Sequence, residues 1–478
     1  MHQRNHLSAL CLNSCRSIFL VLLCCCYEDG YANIRLPKVI GNNMVMEQQH
    51  SVKIWGWADP MEHISITTSW DHKVCQVTAT GDACWQVIIV TPAAGGPYEI
   101  TFEGKNRIRL TNIMVGEVWV CGGQSNMEMC GQWGLADIRA ELRNAANTNI
   151  RFFQISKTTA PYPQGDVDAA WVSCDSSTLN AFSAVGYFFG KKLQTDLHVP
   201  VGLISSCWGG TAAEVWTPEN VIENDSILRD AATLIAPAAM CPHTPGLAWN
   251  AMVAPVTNVA IAGAIWYQGE NNICNATSYH RLFTTMIDAW RAAWKDTFPF
   301  YYVQIAPFSY RDKNVGALLR EAQAQSMQHI RTGMVVTTDL VDNILDVHPA
   351  DKHTVGSRLA NWALAEVYHR QGLSYKSPSF KSLHLHKNKI IISFNNITKG
   401  LQVRGDTISA VEIAGDDKIF YPANAVVKNN TLVVWNAAVS HPVAVRYCFS
   451  NTAIGNLFNK DGLPVAPFRT DQWLVETK

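Results

Sequence analysis

A serine behind two glycines, a second glycine pair, a glutamine and a histidine preceded by an aspartate are the residues whose types and spacing could cleave an ester. The serine lies in Val118-Trp-Val-Cys-Gly-Gly-Gln-Ser-Asn-Met-Glu-Met129. Val118 to Cys121 form an apolar run of the buried-strand type, and Gly122 and Gly123 permit a turn of either hand. Ser125 then faces the carboxyl end of a sheet, where ligands of α/β proteins bind, and the glycines leave room for an acyl group beside it. Gly-Gly-x-Ser also suits an ordinary turn. Met127 stands where the Gly-x-Ser-x-Gly elbow of α/β-hydrolases has its last glycine, so a hydrolase here would use a different fold.

Four further stretches supply partners. Ser205-Ser-Cys-Trp-Gly-Gly-Thr211 leaves an apolar run through Gly209 and Gly210, a turn able to present backbone N–H groups to a developing oxyanion. Trp266-Tyr-Gln-Gly-Glu-Asn-Asn272 places Gln268 as an amide donor and Glu270 as an orienting or substrate-contacting acid. In Asp339-Leu-Val-Asp-Asn-Ile-Leu-Asp-Val-His-Pro-Ala350, His348 is the candidate base, because an imidazole of ordinary pKa near 6.5 can take a serine proton and return it to a leaving alcohol. Asp346 is the expected acid behind it, with Asp342, Asp339 and Glu270 as alternatives. Pro245 to Pro255 reads as a loop lining the site, with Trp249 and Asn250 as substrate contacts. Gln124, Asn126 and Trp208, beside the central motifs, are expected to contact substrate as well.

These stretches need a scaffold that brings them together. Residues 33–111 alternate short β-type runs such as Ser51 to Trp57, Ile64 to Thr68, Trp85 to Val90 and Tyr98 to Phe102, which predicts a sandwich-like β domain. Residues 112–372 alternate apolar strands (Val118 to Cys121, Val201 to Ser206, Ile261 to Tyr267, Phe300 to Ile305, Gly333 to Thr338) with amphipathic helices (Ser183 to Leu197, Tyr279 to Trp294, Ala317 to His329, Lys352 to His369). That order predicts a parallel sheet covered by helices on both faces, a three-layer α/β catalytic domain. Residues 373–478 return to β-type segments.

A 478-residue chain has room for two or three domains, and its 38 basic against 39 acidic residues argue for neither a nucleic-acid partner nor an anionic membrane surface. Residues 1–32 carry Arg4 and Arg16, then Ile18 to Cys26, then a polar stretch ending at Ala32, the order of a secretory signal peptide. The apolar run is short for a membrane span. A lipoprotein anchor at Leu23-Cys24-Cys25 is disfavoured because a cysteine occupies a small-residue position. The chain is thus expected to be secreted or periplasmic, or lysosomal or extracellular in a eukaryote. Five of the 14 cysteines (Cys11, Cys15, Cys24, Cys25, Cys26) precede residue 33; the others are scattered without a Cys-x-x-Cys pair, which disfavours zinc and leaves an odd thiol if disulfides form. Asn224, Asn275, Asn396 and Asn429 begin glycosylation sequons.

Taken in order, Gly123-Gln-Ser-Asn-Met, Ser206-Cys-Trp-Gly-Gly-Thr, Trp266-Tyr-Gln-Gly-Glu and Asp346-Val-His-Pro resemble the sialate O-acetylesterase family of SGNH-type hydrolases. The likeness continues through Pro442 to Tyr447 and Gly462 to Asp471. It implies a carbohydrate esterase without metal or cofactor, acting on O-acetylated sugars. It also implies a flavodoxin-like α/β layer flanked by N- and C-terminal β-rich domains. In that resemblance Ser125 is the nucleophile and His348 its base, while Gly209, Gln268 and the Ser125 N–H form the oxyanion hole. Many SGNH enzymes have the acid three residues before the histidine, where this chain has Leu345; Asp346 is one position nearer. An esterase for plant polysaccharide acetyl groups and a non-catalytic carbohydrate-binding protein are the alternatives.

Overall fold

A computed structural model describes residues 33–478, so the expected signal segment lies outside the described residues. The element that organises them is one long strand, Arg107–Gly123. Its first half pairs antiparallel with Gly95–Glu103 and its second half becomes the centre of a larger sheet. The expected change of character near residues 111 and 112 therefore falls inside a continuous strand. Tertiary pairing decides this, because a strand can pass from one sheet environment to the next without a turn residue to mark the passage.

Across the larger sheet the order is Thr332–Val335, Phe300–Val303, Gly263–Tyr267, Arg107–Gly123, Val201–Cys207, Asn147–Gln154 and Trp171–Cys174. All neighbouring pairs are parallel except the last, where Trp171–Cys174 closes the edge antiparallel. The sequence reading missed these last two strands. Asn147–Gln154 opens with polar residues, and Trp171–Cys174 is only four residues long. The strands expected from apolar runs are present with ends shifted by up to three residues, except the central one, expected from Val118 and beginning at Arg107.

Successive side chains of the central strand point to opposite faces. Val118 and Val120 join an apolar cluster with Phe283, Ile287 and Trp290 of the helix Tyr279–Trp294. Trp119 and Cys121 join a second cluster, with Val185 and Phe189 of Ala184–Leu197 and Leu359 and Ala363 of Lys352–Glu366. Helices thus cover both faces, and the architecture is mixed α/β with β-rich regions at each end. The C-terminal region holds two four-stranded sheets around their own core of Ile390, Leu432, Val445 and Tyr447.

Among the described residues every cysteine is a free thiol, and no helix is long and apolar enough to cross a membrane. Asn275 is corrected as a glycan acceptor: it is buried, with its amide donating to Glu214 and to the Ala231 carbonyl.

Candidate active site

Register brings the motifs to one level. Gly123 lies opposite Cys207 on one side and Tyr267 on the other, so the loops carrying Ser125, Gly209 and Gln268 leave three adjacent strands together. Gly123 has φ +137, and a Cβ there would lie 2.2 Å from the Tyr267 carbonyl oxygen. The glycine therefore serves the close approach of the neighbouring strand end rather than an acyl group, a correction to the sequence reading. The chain then enters a single helical turn, Ser125–Glu128.

His348 arrives from the loop before the helix Lys352–Glu366, with Nε2 2.9 Å from Ser125 Oγ. Its Nδ1 lies 3.5 Å from Asp346 Oδ1, which also accepts the His348 backbone N–H at 2.9 Å. Of the rival acids, Asp339 is held bidentately by Arg358, and Glu270 accepts from Asn126. Burial, then the Lys352 ammonium, hold the His348 imidazolium below its ordinary pKa, while Asp346 opposes them. A neutral imidazole facing a serine hydroxyl is a proton acceptor ready for use. Trp133 sets its ring edge-on to His348 at 5.9 Å and is 47% exposed.

Most of the expected substrate contacts are engaged by neighbouring protein groups. Gln124 is buried and its Oε1 accepts from the Gly269 and Asn271 N–H groups, fastening the next loop. Asn126 is fully buried and donates to Glu270 Oε1 and the Val347 carbonyl, while its Oδ1 accepts from Lys352 Nζ. Glu270 is buried, which raises its pKa, and its Oε2 has no hydrogen-bond partner among the described residues. Trp249 packs against Trp290, and Asn250 donates to the Ala160 carbonyl. Trp208 stays partly exposed, its indole donating to the Met240 carbonyl. For Gln124 and Asn126 the physical reason is shared: a buried amide after a strand end is satisfied by protein groups.

Of the three expected oxyanion donors, Gly209 and Gln268 already have partners. Gln268 is fully buried, its Nε2 donating to the Thr211 carbonyl and Asn272 Oδ1 and its Oε1 accepting from Tyr279. In this arrangement it braces the loop. The Gly209 N–H lies beside Ser125 but donates to Glu128 Oε2 at 2.6 Å. Glu128, its ion-pair partner Lys157, the buried Lys352 and Trp133 escaped the sequence reading. Glu128 alone carried a signal, lying three residues past Ser125 on the same side of a helical turn.

A serine and a neutral histidine at hydrogen-bond distance, at the carboxyl end of a parallel sheet, define the machinery of an ester hydrolase. A profile of the family described as carbohydrate esterase, sialic acid-specific acetylesterase matches residues 115–365. The sialate O-acetylesterase of Pongo abelii is 30% identical over 415 residues, 78% of this chain and 79% of that protein. That of Homo sapiens is 28% identical over 90% of this chain and 91% of its own. The crystal structure of a carbohydrate acetylesterase from Xanthomonas citri superposes with a TM-score of 0.84 at 34% identity, covering 92% of this chain and all of that one. The class is therefore that of the carbohydrate esterases. Within it, the chain belongs to the sialic acid-specific acetylesterase family.

Proposed function

We propose that this protein is an exported esterase that removes O-acetyl groups from sialic acid through an acetyl-enzyme. The contact that carries the reading is His348 Nε2 at 2.9 Å from Ser125 Oγ, with Asp346 behind the imidazole. Ser125 Oγ attacks the acetyl carbonyl as its proton passes to His348 Nε2. The tetrahedral oxyanion is held by the Ser125 N–H and by the Gly209 N–H once Glu128 withdraws. The imidazolium then protonates the leaving sugar oxygen, and the C–O bond breaks. Water, deprotonated by the same histidine, attacks the acetyl-enzyme, and acetate leaves as Ser125 recovers its proton. Asp346 orients the imidazole and stabilises its charged form.

The helix-covered parallel sheet supports a three-layer, flavodoxin-like SGNH architecture between two β-rich domains. The family and the activity of the relatives support sialate as the sugar, and the composition of residues 1–32 supports export.

The test is acetate release from 9-O-acetyl sialic acid and from acetylated xylan by the wild type and Ser125→Ala. Release from the sialate, lost in the variant with its melting temperature unchanged, is the expected result. Preference for xylan would identify a plant polysaccharide esterase. Release at the parental rate by the variant would refute the nucleophile.

A further inference from the structure

One ionic contact occupies an atom that the proposed chemistry requires. Glu128 Oε2 accepts the Gly209 N–H at 2.6 Å, and Oε1 is ion-paired with Lys157 Nζ. A Cβ on Gly209 would lie 3.1 Å from that Oε2 and 3.3 Å from Ser125 Cβ, so carboxylate and serine share one small space. The side chains differ in exposure, 17% for Glu128 and 43% for Lys157, which places the lysine toward solvent and the carboxylate behind it. An ionised acceptor binds an N–H roughly twice as strongly as a neutral carbonyl does. A neutral acetyl ester is thus the weaker competitor for the Gly209 N–H.

We propose that Glu128 and Lys157 determine specificity: the Glu128 carboxylate closes the Gly209 donor in the unliganded chain, and a substrate bearing its own carboxylate opens it by taking over Lys157. The inference rests on the acetylesterase reading and names the feature of the sugar that this site selects, its acid group. When the substrate carboxylate pairs with Lys157, Glu128 loses its counter-ion and turns to water. The acetyl carbonyl oxygen then accepts the vacated N–H. A neutral acetylated sugar must instead displace Glu128 against an intact ion pair.

The experiment compares wild type, Glu128→Ala, Glu128→Gln, Lys157→Ala and Lys157→Arg on 9-O-acetyl sialic acid, acetylated xylan and p-nitrophenyl acetate, with melting curves for each. Both Glu128 variants are expected to raise kcat/KM on p-nitrophenyl acetate several-fold; Glu128→Gln keeps the side-chain shape if the alanine variant folds poorly. Lys157→Ala is expected to lower kcat/KM on the acetylated sialic acid about 10-fold through KM, the size of one charged hydrogen bond, and Lys157→Arg to restore it. Neutral esters should gain rather than lose rate in Lys157→Ala, because Glu128 then has no counter-ion to hold it on the Gly209 N–H. Glu128 variants that are no faster on p-nitrophenyl acetate, or a Lys157→Ala that affects all three substrates alike, would overturn the inference while leaving an active esterase. A wild type inactive on all three would overturn the acetylesterase reading and this inference together.

Discussion

Asn126 donates its side-chain N–H to the carbonyl of Val347 at 3.0 Å, tying the turn that carries Ser125 to the residue before His348. The same amide group donates to Glu270, and Lys352 donates to its oxygen, so a buried chain of three polar side chains sets the distance between serine and histidine. Replacing Asn126 by alanine leaves buried donors and acceptors unpaired, at a cost of about 1–3 kcal/mol in stability. We expect kcat to fall on the order of 100-fold with little change in KM, because misplaced reacting groups lose rate at that scale. Steady-state kinetics with a chemical melt on the same preparation checks both halves.

Lys352 also contributes, after burial, to the pH at which the site becomes active. Its ammonium is one of the causes that hold His348 below the ordinary pKa, after burial, and burial brings its own pKa down to about 8. A depressed base stays neutral, and therefore competent, at more acidic pH. Lys352→Gln and Lys352→Met remove the cation, so the acid limb of kcat/KM should move to higher pH. Asp346→Asn removes a group that raises the His348 pKa, so the limb should move lower while kcat falls. A limb that stays in place in the Lys352 variants would show that burial alone sets it.

Asp339 and Asp346 should separate cleanly. Asp339 is almost wholly buried in its bidentate pair with Arg358, whereas Asp346 is largely exposed beside the imidazole. Asp339→Asn strands a buried guanidinium and should cost about 3–5 kcal/mol of stability. Asp346→Asn should leave the melting temperature nearly unchanged and reduce turnover.

Gly123→Ala is expected to lower stability by at least about 3 kcal/mol and to abolish turnover. The new methyl group would meet the Tyr267 carbonyl oxygen at 2.2 Å, at a backbone angle that L-residues rarely adopt. Circular dichroism melts and p-nitrophenyl acetate turnover measure the two effects.

Remote from the site, Glu47 is buried beside Glu117 and accepts the Val118 N–H at 2.8 Å. Burial, then Glu117, raise its pKa well above 4.5. The fold favours the protonated form, so its stabilising contribution is complete below the ordinary carboxylate range and is lost as pH rises through the raised value. Glu47→Gln keeps the carbonyl acceptor and removes the charge. Its melting temperature should exceed that of the wild type at neutral pH and should lose part of the wild type's fall as pH rises above the ordinary carboxylate range, as pH-dependent calorimetry would register.

The sequence by itself determined most of the element types and the serine and histidine that meet. Apolar runs and helical periodicity are local properties, so Val201–Cys207, Gly263–Tyr267 and Tyr279–Trp294 could be read directly. Ser125 and His348 were marked by loop chemistry after such runs. Only the tertiary structure decided what each polar side chain does, because satisfying a buried donor or acceptor depends on residues far away in the chain. Gln268 went to Thr211 and Asn272, Asn126 to Val347, Glu270 and Lys352, and the Gly209 N–H to Glu128. Spacing could bring Gly209 and Gln268 to the serine's level, but it could not reveal that their hydrogen bonds were already taken.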